Sequence, residues 1–348
     1  MIHFDGIVYA LQAYGGISVY FNALCTEFSR RGLEIGLYLP AGNLMGKPPS
    51  SVETKLVNST NRLLERYRDY ECDAPVGHSS YYRLPSSGAK SVVTVYDFTY
   101  ERYFKTRQKI LHCWQKNRAI RQADAVICIS ESTRNDLFKF LPDVPRNKVH
   151  VVHLGINSAF LQGYTHSPTF VSPTSQPYFL YVGARSTYKN FLPVLAALKD
   201  RTEHLICVGG GPITEQEESY LDKSLKGRVH HLTWANDEDL AILYRHSLGL
   251  VFPSLYEGFG IPVAEAMACG CPVIASNTSS VPEVAGQAAY LLDSVTADTL
   301  GVAFDAIQER PRRAEMIALG IDRAAFFSWQ NCCNATHEIY DLLTTRRA

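Results

Sequence analysis

The chain has 348 residues, enough for two domains with full cores, and its composition, 46% hydrophobic and 20% charged, excludes a fibrous or disordered protein. Net charge is zero, yet residues 1–165 hold 20 Lys and Arg against 14 Asp and Glu, while the remainder holds 14 against 20. No apolar run reaches the roughly 18 residues that span a bilayer, and the start Met1-Ile-His-Phe-Asp-Gly6 lacks the pattern of a secretion signal. Nine irregularly spaced cysteines without a Cys-x-x-Cys pair argue against a zinc ribbon and fit a reducing cytosol.

Short apolar strands alternate with helical stretches, which predicts a doubly wound α/β architecture. In the first half Ile2–Tyr9, Glu34–Leu39, Ser91–Val95, Ala125–Ile129 and Val149–Val152 read as strands. Helices are expected over Gly16–Arg31, Lys105–Gln122 and Ser132–Phe140. The segment from Leu154 to Pro177, rich in Ser, Thr, Pro and Gly, has the composition of a linker. The pattern restarts at Tyr178–Val182 and continues through strands at Leu205–Val208, Val229–Leu232, Leu248–Phe252 and Pro272–Ala275. Helices fit Phe191–Leu198, Glu215–Leu225, Asp237–His246, Val263–Ala268 and, at the tail, Trp329–Leu343. The expected domains are therefore 1–165 and 175–328, followed by a C-terminal helix in 329–348.

The most informative stretch is Pro253-Ser-Leu-Tyr-Glu-Gly-Phe-Gly-Ile-Pro-Val-Ala-Glu265, between an apolar strand and a helix. A turn that ends a parallel strand and opens a helix directs backbone N–H groups and the positive end of the helix dipole at one place. Glu257 and Glu265 beside such an anion site suit the hydroxyls of a sugar or ribose whose phosphates rest on Gly258, Phe259 and Gly260. The competing reading is two solvated helix glutamates. Arg185 and Lys189 follow the strand Tyr178–Val182, where loops of open α/β sheets meet ligands, and two cations there suit a diphosphate. Gly15 and Gly16 precede a helix and let a ligand approach the backbone. Asp97 ends the strand Ser91–Val95 and serves either a ligand or the cap of the next segment. Ser130 or Ser132 either caps a helix or joins the site.

Gly209-Gly-Gly-Pro212 could cradle a phosphate but lacks the dinucleotide-binding pattern, and it reads as a turn with a secondary nucleotide contact. Trp234 suits either a nucleotide base or the core. Asp237-Glu-Asp239 contains Asp-x-Asp but reads as an acidic helix N-terminus, so no metal is expected. Between Tyr100 and Arg121 lie seven Lys and Arg among aromatic residues. Two readings stand side by side there: a surface for anionic lipid or a lipid-linked pyrophosphate, and a solvated helix face with core aromatics behind it. No nucleic-acid-binding module accompanies the charge.

The Glu257-to-Glu265 segment, with Gly270-Cys-Pro-Val-Ile-Ala275 after it and Arg185 and Lys189 before it, resembles the glutamate–seven–glutamate motif of family-4 retaining glycosyltransferases. The resemblance spans most of the chain and is strongest over 178–292. It implies the GT-B fold, two Rossmann-like domains facing across a cleft, with the last helix crossing back onto the first domain. It also implies that Arg185 and Lys189 stabilise the departing diphosphate, Glu257 grips donor-sugar hydroxyls with Gly258, Phe259 and Gly260, and Glu265 binds the ribose. Gly15, Gly16 and Asp97 then line the acceptor side or the donor phosphates. Many relatives carry His-Asp where this chain has Tyr96-Asp97, and Lys189 follows Arg185 one residue sooner than in a common variant of the motif.

The opening Phe4-Asp-Gly and Gln12-Ala-Tyr-Gly-Gly-Ile-Ser-Val-Tyr-Phe21 resemble mannosyl- and rhamnosyl-transferases of bacterial O-antigen and exopolysaccharide assembly. The expected activity is retaining, metal-independent transfer of a hexose, with GDP-mannose the first choice of nucleotide-sugar donor, to a lipid-linked glycan acceptor. No cofactor and no nucleic acid are expected. The expected place is the cytoplasm or, by peripheral contact, the cytoplasmic face of the inner membrane. A nucleotide-sugar epimerase or hydrolase and a non-catalytic assembly partner are the alternatives. A retaining glycosidase fits poorly, because eight residues of helix put about 12 Å of rise between Glu257 and Glu265.

Overall fold

The computed structural model describes residues 1–12, 15–40, 44–50, 52–57, 65–86, 88–104, 107–161, 170–221 and 225–345. The chain divides into two units, Met1–Gly155 with Trp329–Ala348, and Ile156–Ser328.

The first unit is built on a seven-stranded parallel sheet. Its strands are β1 (Ile2–Asp5), β2 (Ile35–Pro40), β3 (Glu53–Val57), β4 (Val76–Ser79), β5 (Lys90–Val95), β6 (Ala125–Cys128) and β7 (Val149–Val151). They lie in the order β3-β2-β1-β4-β5-β6-β7. The helices are α1 (Ile7–Leu11), α2 (Gly16–Arg30), α3 (Thr99–Tyr103), α4 (Arg107–Gln122) and α5 (Glu131–Phe140). Every residue of β1, β4 and β6 is buried, as expected of parallel strands covered on both faces.

In the second unit α6 (Ser158–Leu161) precedes β8 (Tyr178–Val182), α7 (Leu192–Ala197), β9 (His204–Val208), α8 (Glu215–Tyr220) and β10 (Val229–Leu232). Then come α9 (Asp237–His246), β11 (Gly249–Phe252), α10 (Ile261–Ala268), β12 (Val273–Ser276), α11 (Val281–Ala285) and β13 (Ala289–Leu292). Two helices, α12 (Ala297–Ala306) and α13 (Arg310–Ala324), close the unit. The sheet runs β10-β9-β8-β11-β12-β13, all parallel. Phe179, Leu205, Val251 and Ile274 from the sheet bury against Val194, Leu195 and Phe304 from the helices. The final helix α14 (Trp329–Thr345) belongs to the first unit, where Tyr340 places its ring 6.0 Å from Phe28 of α2.

The strand expected over Ile2–Tyr9 is a correction: it stops at Asp5, and Ile7–Leu11 is helical. An apolar run does not by itself separate strand from buried helix. Here the Asp5 carboxylate accepts the Ile7 N–H at 3.1 Å and starts the turn. The expected linker holds α6, while 162–169 lie outside the described residues. The helix expected from Glu215 to Leu225 ends at Tyr220, and 222–224 lie outside the described residues, as does Lys105, the expected first residue of α4. Strands β3, β4 and β13 and helices α11, α12 and α13 had no counterpart in the sequence reading.

Candidate active site

In the second sheet the strand order reverses between β8 and β11: β8 leads to β9 and β10 on one side, and β11 leads to β12 and β13 on the other. Connections on either side leave in opposite directions at such a crossover, so a crevice opens at the carboxyl ends. The loop after β8 carries Arg185 and Lys189, and the loop after β11 carries Glu257 and Gly258–Gly260. The fold therefore brings the two sequence-derived segments to one place.

Lys189 closes a single 3-10 turn, Thr187–Lys189, and its Nζ meets Glu257 Oε1 at 2.6 Å. The two side chains are 16% and 12% exposed, so the ion pair is mostly shielded yet open on one side. Leu255 N–H donates to the Tyr188 carbonyl at 2.8 Å, which ties the two loops together. The turn between β12 and α11 fixes the glutamate loop from its other side. Ser279 Oγ accepts from Glu257 N–H at 2.9 Å, and Ser280 Oγ donates to the carbonyls of Glu257 (3.0 Å) and Phe259 (2.8 Å). Ser279 itself is left-handed, at φ 50°. Gly260 precedes α10 at φ +102°, a conformation that favours glycine, and Pro262 sits in the first turn where its missing N–H costs nothing.

Arg185 bonds to partners other than the Lys189–Glu257 pair. Its side chain is 3% exposed, and Nε donates to Glu217 Oε1 at 2.7 Å. Nη1 donates to the Gly209 carbonyl at 2.8 Å, and Nη2 to the carbonyls of Gly211 (2.8 Å) and Pro212 (2.9 Å). The guanidinium thus braces the turn after β9. A Cβ at Gly210 would stand 2.9 Å from Arg185 Nη1, and φ there is +84°, so this turn requires glycine. Glu217 also accepts from Thr214 N–H at 2.7 Å and caps α8, and these donors, opposing burial, hold its carboxyl below the usual range.

Glu265 lies in the second turn of α10 and accepts a hydrogen bond from the Tyr244 hydroxyl at 3.0 Å. Burial pushes its carboxyl up to about 8; the Tyr244 hydroxyl opposes the shift and Asp237 adds to it. Trp234 is 67% exposed, which removes the core-packing alternative. Asp237 and Asp239 begin α9, with Asn236 Oδ1 accepting from Asp239 N–H at 2.8 Å.

In the first unit, Asp97 Oδ1 accepts from Thr99 N–H at 2.9 Å, so it fixes the start of α3. The Asp97 carbonyl takes a 3.0 Å hydrogen bond from the buried ammonium of Lys116, which also meets Glu101 at 2.7 Å. Gly15 and Gly16 stand at the start of α2, Gly15 extended and Gly16 with open space where a side chain would be. Residues 13 and 14 lie outside the described residues. Ser130 is the N-cap of α5, accepting from Thr133 N–H at 3.0 Å. In the basic stretch Arg102, Lys116, Arg118 and Arg121 pair with Asp136, Glu101, Asp69 and Asp143. Lys105 and the side chains of Arg107 and Lys109 lie outside the described residues.

Sequence reasoning missed Glu217, Tyr244, Ser279 and Ser280. Each is an ordinary residue in its own neighbourhood and acquires its place only through the fold.

Two parallel sheets, each with a crossover in strand order, define a doubly wound α/β protein, and comparison with known proteins gives its family. Residues 165–320 match the family "Glycosyl transferases group 1", and residues 14–160 match "Glycosyltransferase Family 4". Together these take in most of the chain, which belongs to the family-4 glycosyltransferases. The O-antigen chain mannosyltransferase B of Escherichia coli is 28% identical over 304 residues, 80% of this chain and 76% of the relative. The sucrose-phosphate synthase of Thermosynechococcus elongatus shares the fold with a TM-score of 0.77 at 19% identity, covering 99% of both chains. Anabaena Alr3699/HepE in complex with UDP-glucose gives a TM-score of 0.73 at 14% identity, again over 99% of both. The fold is GT-B.

Proposed function

We propose that this glycosyltransferase is a retaining, metal-independent hexosyltransferase that moves mannose from GDP-mannose to a lipid-linked or oligosaccharide acceptor in surface-polysaccharide synthesis. The observation that carries the reading is the mostly shielded Lys189–Glu257 pair at the crossover of the second sheet. Such a pair is exchangeable: a diphosphate takes the ammonium, and a sugar hydroxyl takes the carboxylate. Gly258, Phe259 and Gly260 add backbone at the start of α10, and Glu265 receives the ribose hydroxyls. Arg185 holds the turn after β9 and turns its remaining N–H to the phosphates. Cationic side chains and a helix N-terminus thus answer the phosphate charge, and the residues chiefly position substrates and stabilise the leaving group. Asp97, Gly15 and Gly16 serve the acceptor side. Mannose is favoured by the name of the Escherichia coli relative, and a nucleotide-sugar donor by the UDP-glucose bound to the Anabaena protein. A lipid-linked acceptor is met by peripheral contact at the membrane face. Among the described residues no helix is long and apolar enough to cross a membrane.

The test is to incubate the protein with GDP-mannose and undecaprenyl-diphosphate-linked glycan, with and without chelator, and read the anomeric configuration of the product by NMR. An α-linked mannose formed equally well with chelator is expected. A β-linked product contradicts retention. Chelator-sensitive transfer contradicts metal independence. Epimerised or hydrolysed donor without transfer favours a different enzyme on the same fold.

A further inference from the structure

In the reading above Glu265 meets the ribose, and its own helix offers little to hold it there. One turn away on either side stand Ile261, Pro262, Ala268 and Cys269, and the Cys269 thiol is directed at the Phe160 carbonyl, 3.5 Å away. The rest of α10 is fixed by packing: Val263, Ala264, Ala266 and Met267 are all buried. A carboxylate on such a helix keeps a free rotor unless another element supplies a donor. That donor is Tyr244, 21 residues earlier on α9, whose hydroxyl reaches Glu265 Oε2 at 3.0 Å. Tyr244 is fully buried, with its ring edge-on to Phe160 at 6.1 Å. Its helix is anchored at that point, because the Tyr178 hydroxyl on β8 donates to the Leu243 carbonyl at 2.8 Å. Among the described residues no other hydrogen bond reaches the Glu265 carboxylate.

We propose that Tyr244 is a positioning residue for ribose recognition: its hydroxyl locks Glu265 so that the carboxylate presents its open acceptor sites to a vicinal 2′,3′-diol. A carboxylate has two oxygens and about four lone-pair directions, so one hydroxyl from the protein leaves room for two from the ligand. The Tyr244 hydroxyl also works against the burial that holds the proton on Glu265, and so toward the ionised form that accepts from both ribose hydroxyls. It follows that the enzyme selects ribonucleoside diphosphates over 2′-deoxyribonucleoside diphosphates as the donor's leaving group. The proposal rests on the donor reading of Glu265.

The experiment is calorimetric titration of GDP and UDP, each beside its 2′,3′-dideoxy counterpart, into the wild-type protein, Glu265→Ala and Tyr244→Phe. The wild type is expected to prefer the ribonucleotide at least tenfold, and Glu265→Ala to lose that preference. Tyr244→Phe is expected to weaken ribonucleotide binding about tenfold, the scale of one hydrogen bond to a charged group, and to leave dideoxynucleotide binding unchanged. A merely structural tyrosine would weaken both forms together, and that result overturns the proposal. So does full retention of the preference in Tyr244→Phe while Glu265→Ala loses it. If the wild type binds neither nucleotide, or Glu265→Ala keeps the preference, the ribose role of Glu265 is itself wrong and the proposal falls with it.

Discussion

Glu217 and Arg185 form a pair whose side chains are 7% and 3% exposed, and neither is stable there alone. Removing one partner of a buried pair strands the other's charge, at about 3 kcal/mol or more. Glu217→Ala should therefore lower the unfolding midpoint by roughly 6 °C or more, given the usual sensitivity of a domain this size. A shift below about 1 °C in differential scanning calorimetry would contradict the brace. Glu265 gives a different signal. Burial moves its carboxyl from 4.5 to about 8, so between those values the folded protein keeps a proton that the unfolded chain has lost. The stabilisation is complete below about pH 4.5 and disappears as pH rises through 8. Over that window the wild type should lose stability relative to Glu265→Gln, and parallel pH profiles of the two would refute the shift. Arg185, Lys189, Glu257 and Glu265 were visible as candidates in the sequence because they belong to one motif, the first three in loops after strands and Glu265 in the helix that follows. Their keepers were not: Glu217 lies 32 residues from Arg185, and Tyr244 is one tyrosine among 20.

At the scale of elements, the long helices and the apolar strands of both sheets announced themselves by period and composition. What escaped was short or mixed. Val76-Gly-His-Ser79 is a four-residue central strand with only one apolar side chain larger than glycine, and it is a strand because β1 and β5 flank it. The terminal helix α14 was legible as amphipathic, and the family resemblance implied its return to the first domain, but its partners there were not legible. Tyr340 Oη meets His78 Nδ1 of β4 at 2.5 Å, and His78 Nε2 meets Thr94 Oγ1 of β5 at 2.7 Å. Burial holds the His78 imidazole down to about 3, so it stays neutral, with one nitrogen donating and one accepting. Tyr340→Phe leaves a buried ring nitrogen without a partner, at about 1–3 kcal/mol. Amide exchange in Trp329–Thr345 should speed up in that variant, and an unchanged exchange rate would show that the helix is held by apolar packing alone.

For the whole molecule, two parallel sheets were expected and two are present, each with its order reversing beside its first strand, β1 or β8. The positive excess of the first half remains, because Asp136, Glu101, Asp69 and Asp143 belong to that same half, but the described cations of α3 and α4 named above are each paired with one of them. Pairing of this kind depends on which loops the fold brings together, so composition alone could not show it. Membership of the family fixes the class of reaction, and the place proposed for it is the crossover of the second sheet. The most direct measurement is calorimetric titration of GDP-mannose and UDP-glucose into the wild type and Lys189→Met. The account expects one nucleotide sugar to bind the wild type and to bind Lys189→Met at least tenfold more weakly. Equal affinity for the two proteins, or no binding to the wild type, would contradict a donor site built on the Lys189–Glu257 pair.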